Sequence, residues 1–406
     1  MHTERLMSLV GLFAMIALAW LMSENRRRVN VRLVAGGVLL QFAFAVVVLK
    51  TEAGGALFMQ LGHLFTALLN YVDAGSTFVF GERFRDFYFA FRVLPAIIFF
   101  SSLMAVLYYL RVMQFVVLLF GRLMQRTLGT TGPESLAAAA NVFLGMTEAP
   151  LVVRPYVPTM TRSELMAMMV CGFATSAGGV MAAYVSMGID AGHVIAASVM
   201  SSPAGLLIAK VIVPETEPTL SPENVVLEAS ESGANLIEAA AIGAAQGMKL
   251  AINVAAMVIA FLALIAMLDG MIGWIGLQLG WEWSLSAALS YVFAPLALLM
   301  GVEPADCFKV GELLGVRIVT NELVAYQMMA DWMREGSEIQ LSQRSQVILT
   351  YALCGFANFG SIGVQIGGIG GMAPTRRTDL ARLGLRAMLG ATLACFMTAC
   401  VAGVLI

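Results

Sequence analysis

Charged residues are scarce along this chain, and their scarcity decides its class. Asp, Glu, Lys and Arg make up 12% of the 406 residues, whereas 59% are hydrophobic. Soluble domains carry about 25% charged and about 45–50% apolar residues, so a water-soluble core cannot hold this much apolar surface. The chain is better divided into membrane spans of about 20 residues than into soluble domains. We expect one multi-pass membrane domain.

The groups that enzymes and nucleic-acid-binding proteins need are also few. Histidine occurs only as His2, His63 and His193, and none of them has the spacing of a metal site. The five cysteines form no CxxC pair, and no GxSxG, HExxH or P-loop pattern occurs. The net charge of −2 offers no basic surface for nucleic acid. These absences argue against an enzyme, a bound cofactor, ATP-driven transport by this chain and a nucleic-acid partner.

Long stretches without charge are abundant instead. The first is followed by arginines rather than by a small-residue cleavage site, so it is interpreted as a span. The stretch after Trp281 and Trp283 contains Pro295 and is expected along the membrane interface, as are residues 53–80. Eight spans are predicted from nine candidates, which cover residues 6–23, 33–49, 93–110, 165–189, 191–209, 250–268, 283–302, 345–375 and 387–406.

Clusters of arginine indicate the orientation. Arg26–Arg28 lie between the first two predicted spans, and Arg376 and Arg377 lie between the last two. Because basic loops stay on the cytoplasmic side, both connections are expected in the cytoplasm and both termini outside. Residues 214–233 are rich in glutamate and are predicted to form a long aqueous loop.

An internal repeat is the most informative feature. The tetrapeptide Cys-Gly-Phe-Ala at 171–174 recurs at 354–357, and Gly- and Ser/Thr-rich residues follow both copies. Glu148 lies 23 residues before the first copy, and Glu322 lies 32 residues before the second. Transporters often contain repeated halves whose interrupted helices meet near the bilayer midplane. We therefore expect a secondary transporter, with helix breaks at Gly178-Gly179 and at 360–363.

The two acids are the candidate functional residues. Glu148 is the only charge in residues 135–153, and a carboxylate at the membrane centre costs about 2.5–3.5 kcal/mol, so it normally lines a cavity. The turns on both sides leave too little apolar length for a span and favour a re-entrant hairpin. The alternative is a structural ion pair, Glu148 with Arg154 and Glu322 with Arg317.

Neutral polar side chains cluster beside both acids, and we expect them to bind ligands. Hydroxyl, amide and carbonyl oxygens suit Na⁺ and also hydrogen-bond a polyhydroxyl ligand. Such groups can instead hold membrane helices together. An apolar ligand face is available from Phe356 and Val180. The polar side chains are Asn141, Thr175, Ser176, Asn358 and Ser361.

The residues around both acids resemble the concentrative nucleoside transporter family. Residues 145–151, Gly-Met-Thr-Glu-Ala-Pro-Leu, are similar to its Gly-Gln-Thr-Glu-Ala-Pro hairpin motif. Residues 321–326, Asn-Glu-Leu-Val-Ala-Tyr, are similar to its Asn-Glu-Phe-Val-Ala-Tyr motif, and residues 354–361 resemble the following Gly-Phe-Ala-Asn-Phe segment. The resemblance implies an all-α trimer of the bacterial cytoplasmic membrane. Each protomer would have eight spans, interfacial helices, two re-entrant hairpins and an inverted repeat. It would import nucleosides with Na⁺, or with H⁺ as some bacterial members do, by an elevator movement.

The resemblance also implies roles for individual residues. The nucleobase would contact Met146, Thr147, Glu148 and Val180. The ribose would be held by Glu322, Asn358, Ser361 and Phe356. The Na⁺ ligands would be Asn141, Leu144, Thr175 and Ser176, with Leu144 and Ser176 acting through backbone carbonyls.

One residue departs from the family pattern. Met146 stands where the family commonly has glutamine, and a thioether makes no strong hydrogen bond to a base edge. Base preference therefore stays open, and a carrier of a free nucleobase or a modified nucleoside is an alternative. A passive channel is a further alternative, which the repeated interrupted segments disfavour.

The expected domain organisation follows the repeat. Residues 1–128 would form scaffold spans with an interfacial helix, and 129–213 the first transport repeat. Residues 214–302 would add a loop, a scaffold span and an interfacial helix, and 303–406 the second transport repeat.

Overall fold

The computed structural model describes residues 2–87, 89–219, 234–279, 284–334, 336–337 and 339–406. All regular elements in these ranges are helical. Most of the predicted aqueous loop 214–233 and both interfacial tryptophans, Trp281 and Trp283, lie outside the described residues.

The helices are of two kinds, long apolar helices and shorter segments. In chain order they are α1 (His2–Leu21), α2 (Val31–Lys50), α3 (Glu52–Phe80), α4 (Leu94–Tyr109), α5 (Val112–Leu128), α6 (Gly132–Asn141), a 3₁₀ segment (Ala149–Thr159), α7 (Arg162–Ala174), α8 (Gly178–Ser186), α9 (Ala191–Ile212), α10 (Leu236–Leu279), α11 (Leu285–Leu299), α12 (Cys307–Val319), α13 (Glu322–Trp332), α14 (Gln343–Leu353), α15 (Phe359–Met372) and α16 (Arg377–Leu405).

Seven stretches of the described residues are long and apolar enough to cross a membrane. They are Thr3–Leu21, Val31–Lys50, Phe89–Tyr109, Arg162–Ser186, Ala191–Ile212, Leu236–Gln278 and Pro374–Leu405. The candidate span at residues 345–375 is divided between α14 and α15, which have 11 and 14 residues. Neither half alone reaches the roughly 30 Å hydrocarbon thickness. The all-α polytopic membrane fold is confirmed.

The described residues include two short helical hairpins. In the first, α6 packs against the 3₁₀ segment, and in the second α12 packs against α13. Their arms have 10 to 13 residues, which corresponds to about 15–20 Å of α-helix, well short of a span. Arms of this length fit the predicted re-entrant geometry.

A broken helix and then a long helix follow each hairpin, so the element order repeats. Ser342, the N-cap of α14, lies 181 positions after Thr161, the N-cap of α7. Asn358 precedes α15 and lies 181 positions after Ala177, which precedes α8. The two Cys-Gly-Phe-Ala copies are 183 positions apart. The sequence match therefore differs by two residues from the 181-residue spacing of the helices.

The helix breaks lie upstream of the predicted glycines, so that prediction was wrong in position. The first break covers residues 175–177 and the second covers residues 354–358. Thr175 has extended backbone angles, with φ −116° and ψ 166°, and Gly355 has φ +98°. Both conformations end a helix. Gly178 instead begins α8, and Gly360 lies inside α15.

The long helices of the two repeats form the centre of the molecule. α9 and α16 pack against each other, and both pack against α7 and α2. Most of α9 is buried, whereas α10 is largely exposed and packs mainly against α4. The apolar periphery is therefore the surface available to lipid, and the polar residues are gathered inside.

A buried ion cluster joins the start of the first hairpin to the end of α9. The Lys210 Nζ lies 2.7 Å from Glu134 Oε2 and 3.2 Å from Glu215 Oε2. The Thr161 hydroxyl, at the start of α7, donates to the same Glu215 oxygen over 2.9 Å. Two ion pairs and a hydrogen bond therefore hold α6, the start of α7 and the end of α9 together.

Replacing Lys210 tests this cluster. Lys210→Met leaves Glu134 buried without its cation, and breaking a buried pair costs about 3–5 kcal/mol. We expect a melting temperature in detergent that is several degrees below that of the unmodified protein. The matched control is Lys309→Met, because Lys309 is about half exposed and its Nζ lies 4.0 Å from Glu312; a surface pair contributes at most about 1 kcal/mol. Equal melting temperatures for the two variants would contradict the role given to Lys210.

Candidate functional site

Glu322 lies where the two repeats meet. It is the first residue of α13, follows the N-cap Asn321, and is 4% exposed. Its Oε1 accepts a hydrogen bond from the Tyr184 hydroxyl on α8 over 3.3 Å. Its Oε2 accepts one from Asn358 Nδ2 over 3.1 Å. The carboxylate of Glu322 thus joins α8, the half-helix after the first break, to Asn358, which precedes α15, the half-helix after the second break.

Asn358 is held in one orientation by its two partners. Its Oδ1 accepts the backbone N–H of Ser361 over 2.9 Å and caps α15. Because that oxygen must face an N–H donor, the amide nitrogen faces the carboxylate of Glu322. The first turn of α15, with the buried Ser361, is therefore fixed beside the acid.

The two helix breaks are in contact. The backbone N–H of Gly355 donates to Ser176 Oγ over 3.1 Å. A Cβ on Gly355 would lie 2.5 Å from the carbonyl oxygen of Phe173, and its φ is +98°, so no other residue fits this conformation and this approach. The predicted ligand residue Ser176 thus satisfies backbone that the second break leaves unpaired.

Arg317 forms a hydrogen bond to the second break. It is fully buried, and its Nη2 donates to the carbonyl oxygen of Cys354 over 3.1 Å. Among the described residues it forms no ion pair with Glu322, so the alternative that treats this acid as a structural partner of Arg317 is not supported.

Glu148 lies at the tip of the first hairpin, between α6 and the 3₁₀ segment. Its Oε2 accepts the backbone N–H of Gly145 over 3.3 Å, and within the described part of the chain no ion pair links it to the exposed Arg154. Its side chain is partly exposed, as is that of Thr147, whereas Met146 is 9% exposed. The tip therefore presents a carboxylate, a hydroxyl and a thioether together.

The predicted ring-contacting residues occupy two elements. Val180 lies on α8, one helical turn before Tyr184, so both share the face that meets Glu322. Phe356 is in the second break and is partly buried. Val180 thus lies on the same helix as Tyr184, and Phe356 lies two residues before Asn358.

The predicted Na⁺ ligands lie at the end of α6 and in the first break. Asn141 is fully buried, its Nδ2 donates to the Ala137 carbonyl over 3.0 Å, and its Oδ1 has no hydrogen-bond partner. Leu144 follows in the hairpin tip, and the Thr175 hydroxyl donates to the Cys171 carbonyl over 2.8 Å. Amide, hydroxyl and carbonyl oxygens are the ligand types that suit a hard cation, and the Oδ1 of Asn141 is available to bind one.

Two polar residues near the site were not predicted from the sequence. Tyr184 donates to Glu322 and its ring lies 4.3 Å from that of Tyr326. Gln365, in the middle of α15, is fully buried. A polar side chain inside a charge-free stretch was the available signal for both residues, but only the fold shows which of them reach the site.

Comparisons with known proteins agree on one family. The family description "Na+ dependent nucleoside transporter C-terminus" matches residues 193–403, its N-terminal counterpart matches 10–83, and "Nucleoside recognition" matches 90–191. An uncharacterized transporter of Haemophilus influenzae is 44% identical over 99% of this chain and 98% of its own length.

The chain belongs to the concentrative nucleoside transporter family.

Other members extend the comparison. Human solute carrier family 28 member 3 is 44% identical over 99% of this chain, but the chain spans only 60% of that protein's length. The structure of CNTnw in an inward-facing substrate-bound state is 44% identical and superimposes with a TM-score of 0.94, covering 99% of this chain and 98% of CNTnw. A CNTnw variant in an outward-facing state gives a TM-score of 0.95 over 100% and 99% of the two chains at 43% identity.

The three motifs of the concentrative nucleoside transporter family now have places in the fold. The first forms the tip of the first hairpin and the start of its 3₁₀ arm, the second begins α13, and the third forms the second break and the start of α15. The relatives are transporters, and this chain is likewise not an enzyme.

A glycine pair tests the contact between the breaks. Gly355→Ala forces a Cβ into the Phe173 carbonyl and a strained positive φ, so we expect a loss of about 2 kcal/mol or more and a lower melting temperature. Gly363→Ala is the control, because it lies in α15 with nothing within 4 Å of its Cβ position. Similar stability of the two variants would show that the crossing of the breaks is not tightly packed.

Proposed function

We propose that this protein imports nucleosides across the bacterial cytoplasmic membrane together with Na⁺. The observation that carries the proposal is the Glu322 network, in which Tyr184 of one repeat and Asn358 of the other meet on one buried carboxylate. The relatives support the same activity, since a mouse protein 43% identical over 99% of this chain is named sodium/nucleoside cotransporter 1.

Ribose recognition follows from the chemistry of this network. Vicinal hydroxyls are donors, and each oxygen of Glu322 already accepts one hydrogen bond and can accept another. Ser361 adds a hydroxyl beside Asn358, and Phe356 adds an aromatic surface. A charge-assisted bond to a carboxylate is about twice as strong as a neutral one, so the acid is the main anchor for the sugar.

The nucleobase would then extend toward the first hairpin. Met146, Thr147, Glu148 and Val180 supply two apolar surfaces, a hydroxyl and a carboxylate on that side. An enclosed site of this composition suits a flat ring with a polar edge.

Sodium would couple to the substrate through shared elements. The oxygens of Asn141 and Thr175 and the carbonyls of Leu144 and Ser176 belong to the first hairpin and the first break, which also hold Met146 and contact Gly355. A cation there would order the hairpin tip and the crossing of the breaks before the nucleoside binds.

Movement is proposed to be of the elevator type. Residues 129–213 and 303–406 would move as a transport domain against a scaffold formed by 1–128 and 214–302, in a trimer of eight-span protomers. Support comes from CNTnw, which has been observed both inward-facing and outward-facing with nearly this fold.

Gradient-driven uptake tests the activity. Proteoliposomes should accumulate labelled uridine or inosine under an inward Na⁺ gradient and exclude free bases, which lack the ribose that Glu322 binds. An H⁺ gradient alone should drive little uptake.

Glu322→Gln should weaken apparent affinity for the nucleoside about 10- to 100-fold, since losing a hydrogen bond to a charged group costs about 1.5–3 kcal/mol. Glu312→Gln, at a partly exposed acid of α12, is the control. Absence of uptake under both gradients would exclude the proposed function.

Sodium activation tests the ion site. Asn141→Ala removes the unpaired buried oxygen, so we expect the Na⁺ concentration for half-maximal uptake to rise about tenfold while maximal uptake at high Na⁺ partly recovers. Asn30→Ala removes an exposed helix cap of α2 and should leave the Na⁺ curve unchanged. An unaltered curve for Asn141→Ala would place the ion elsewhere.

A further inference from the structure

Gln365 is a buried amide with one unused group. It lies in the middle of α15 and is fully buried. Its Nε2 donates to the Met169 carbonyl on α7 over 3.0 Å, whereas its Oε1 has no hydrogen-bond partner. Buried acceptors in native proteins nearly always have a donor, so this oxygen is available to accept a hydrogen bond from a ligand.

The position of Gln365 on α15 places it at the site. Ser361, Gln365 and Gly368 are spaced i, i+4, i+7 and share one face of the helix. Ser361 lies beside Asn358 at one end of this face. At the other end Gly368 lies against Thr147, whose Cγ2 is 2.6 Å from a Cβ built on the glycine. Gln365 is therefore between the proposed ribose side and the tip of the first hairpin.

The atoms around Gly172 show which side chains lie close to Gln365. A Cβ built on Gly172 would lie 2.6 Å from Gln365 Nε2, 3.1 Å from the Met146 Cβ and 3.5 Å from Asn141 Oδ1. Side chains from three elements thus lie around Gly172 of α7, which has no side chain of its own. The amide of Gln365 and the side chain of Met146 are neighbours.

We propose that Gln365 reads the edge of the nucleobase in this protein. The proposal rests on the proposed function and deepens it. Met146 cannot form the hydrogen bond that the family glutamine at this place would form, and Gln365 brings an amide to the same neighbourhood from the opposite repeat. Because Nε2 is held by Met169, the group left for the ligand is an acceptor.

An acceptor selects nucleosides by a donor on the base. Uridine offers N3–H and inosine offers N1–H, and a methyl group on that nitrogen removes the donor and adds bulk. A site built around a hydrogen bond rejects an analogue that lacks it, because the protein group is then left unpaired. The unmodified protein should therefore prefer uridine to 3-methyluridine, and inosine to 1-methylinosine, by about tenfold or more.

Competition against labelled nucleoside uptake in proteoliposomes measures these ratios. Gln365→Leu should reduce both preferences to about twofold or less, and Gln365→Met, which keeps the length of the side chain, should do the same if the leucine variant does not fold. Adding Met146→Gln to either variant should restore a preference, because it returns an amide to the same neighbourhood. Gln346→Leu is the control, since Gln346 on α14 donates to the Leu341 carbonyl away from the site.

The outcomes separate the two proposals. Uptake of no nucleoside by the unmodified protein excludes the proposed function itself. Nucleoside uptake without a preference for the unmethylated bases, or with a preference that survives in the Gln365 variants, overturns the role of Gln365 alone. A loss of uptake that is equal for methylated and unmethylated bases also overturns it, because it shows that Gln365 only joins α15 to α7.

Discussion

Every broken helix in a membrane leaves backbone groups without partners, and in the described part of this protein two such breaks are in contact. Ser176 in the first break accepts the N–H of Gly355 in the second. Lipid offers no hydrogen bonds, so irregular backbone survives there only where protein covers it. The two interrupted helices therefore meet at their breaks, and that contact helps to set the relative placement of the two repeats.

The charges of the site follow from the same requirement. Arg317 supplies a donor to the Cys354 carbonyl that the second break frees, and Glu322, five residues later, accepts from Tyr184 and Asn358. Each charge is thus held by groups that the breaks or their flanking half-helices provide. Opposite charges in one buried region also attract without direct contact, because the local dielectric constant is low. Glu322, the proposed sugar-binding acid, can therefore be buried without a salt bridge of its own.

Much of this was predictable from the sequence, and the remainder depends on tertiary contacts. The spans, the first hairpin and both acids follow from long charge-free runs that few acids and turns interrupt, whereas the second hairpin was implied by the family resemblance. The breaks were placed a few residues too late, because glycine marks flexibility, whereas the observed breaks begin at Thr175 and Cys354. The Cys-Gly-Phe-Ala match indicated a real repeat, although its copies lie inside α7 in one half and in the break in the other. Tyr184 and Gln365 gave no signal in the sequence that separated them from polar residues that only join helices.

The position of Gln365 changes how the departure at Met146 is understood. A motif compares residues at one place in the sequence, whereas a ligand meets whatever groups converge on one place in space. In this fold the tip of the first hairpin and the middle of α15 converge over Gly172, so an amide on either element can face the same part of a bound base. Loss of glutamine from the hairpin motif is therefore not a loss of hydrogen-bonding capacity at the site. Because the two elements belong to opposite repeats, moving the amide from one to the other would also move base recognition from the repeat with the proposed Na⁺ ligands to the repeat with most of the proposed ribose ligands.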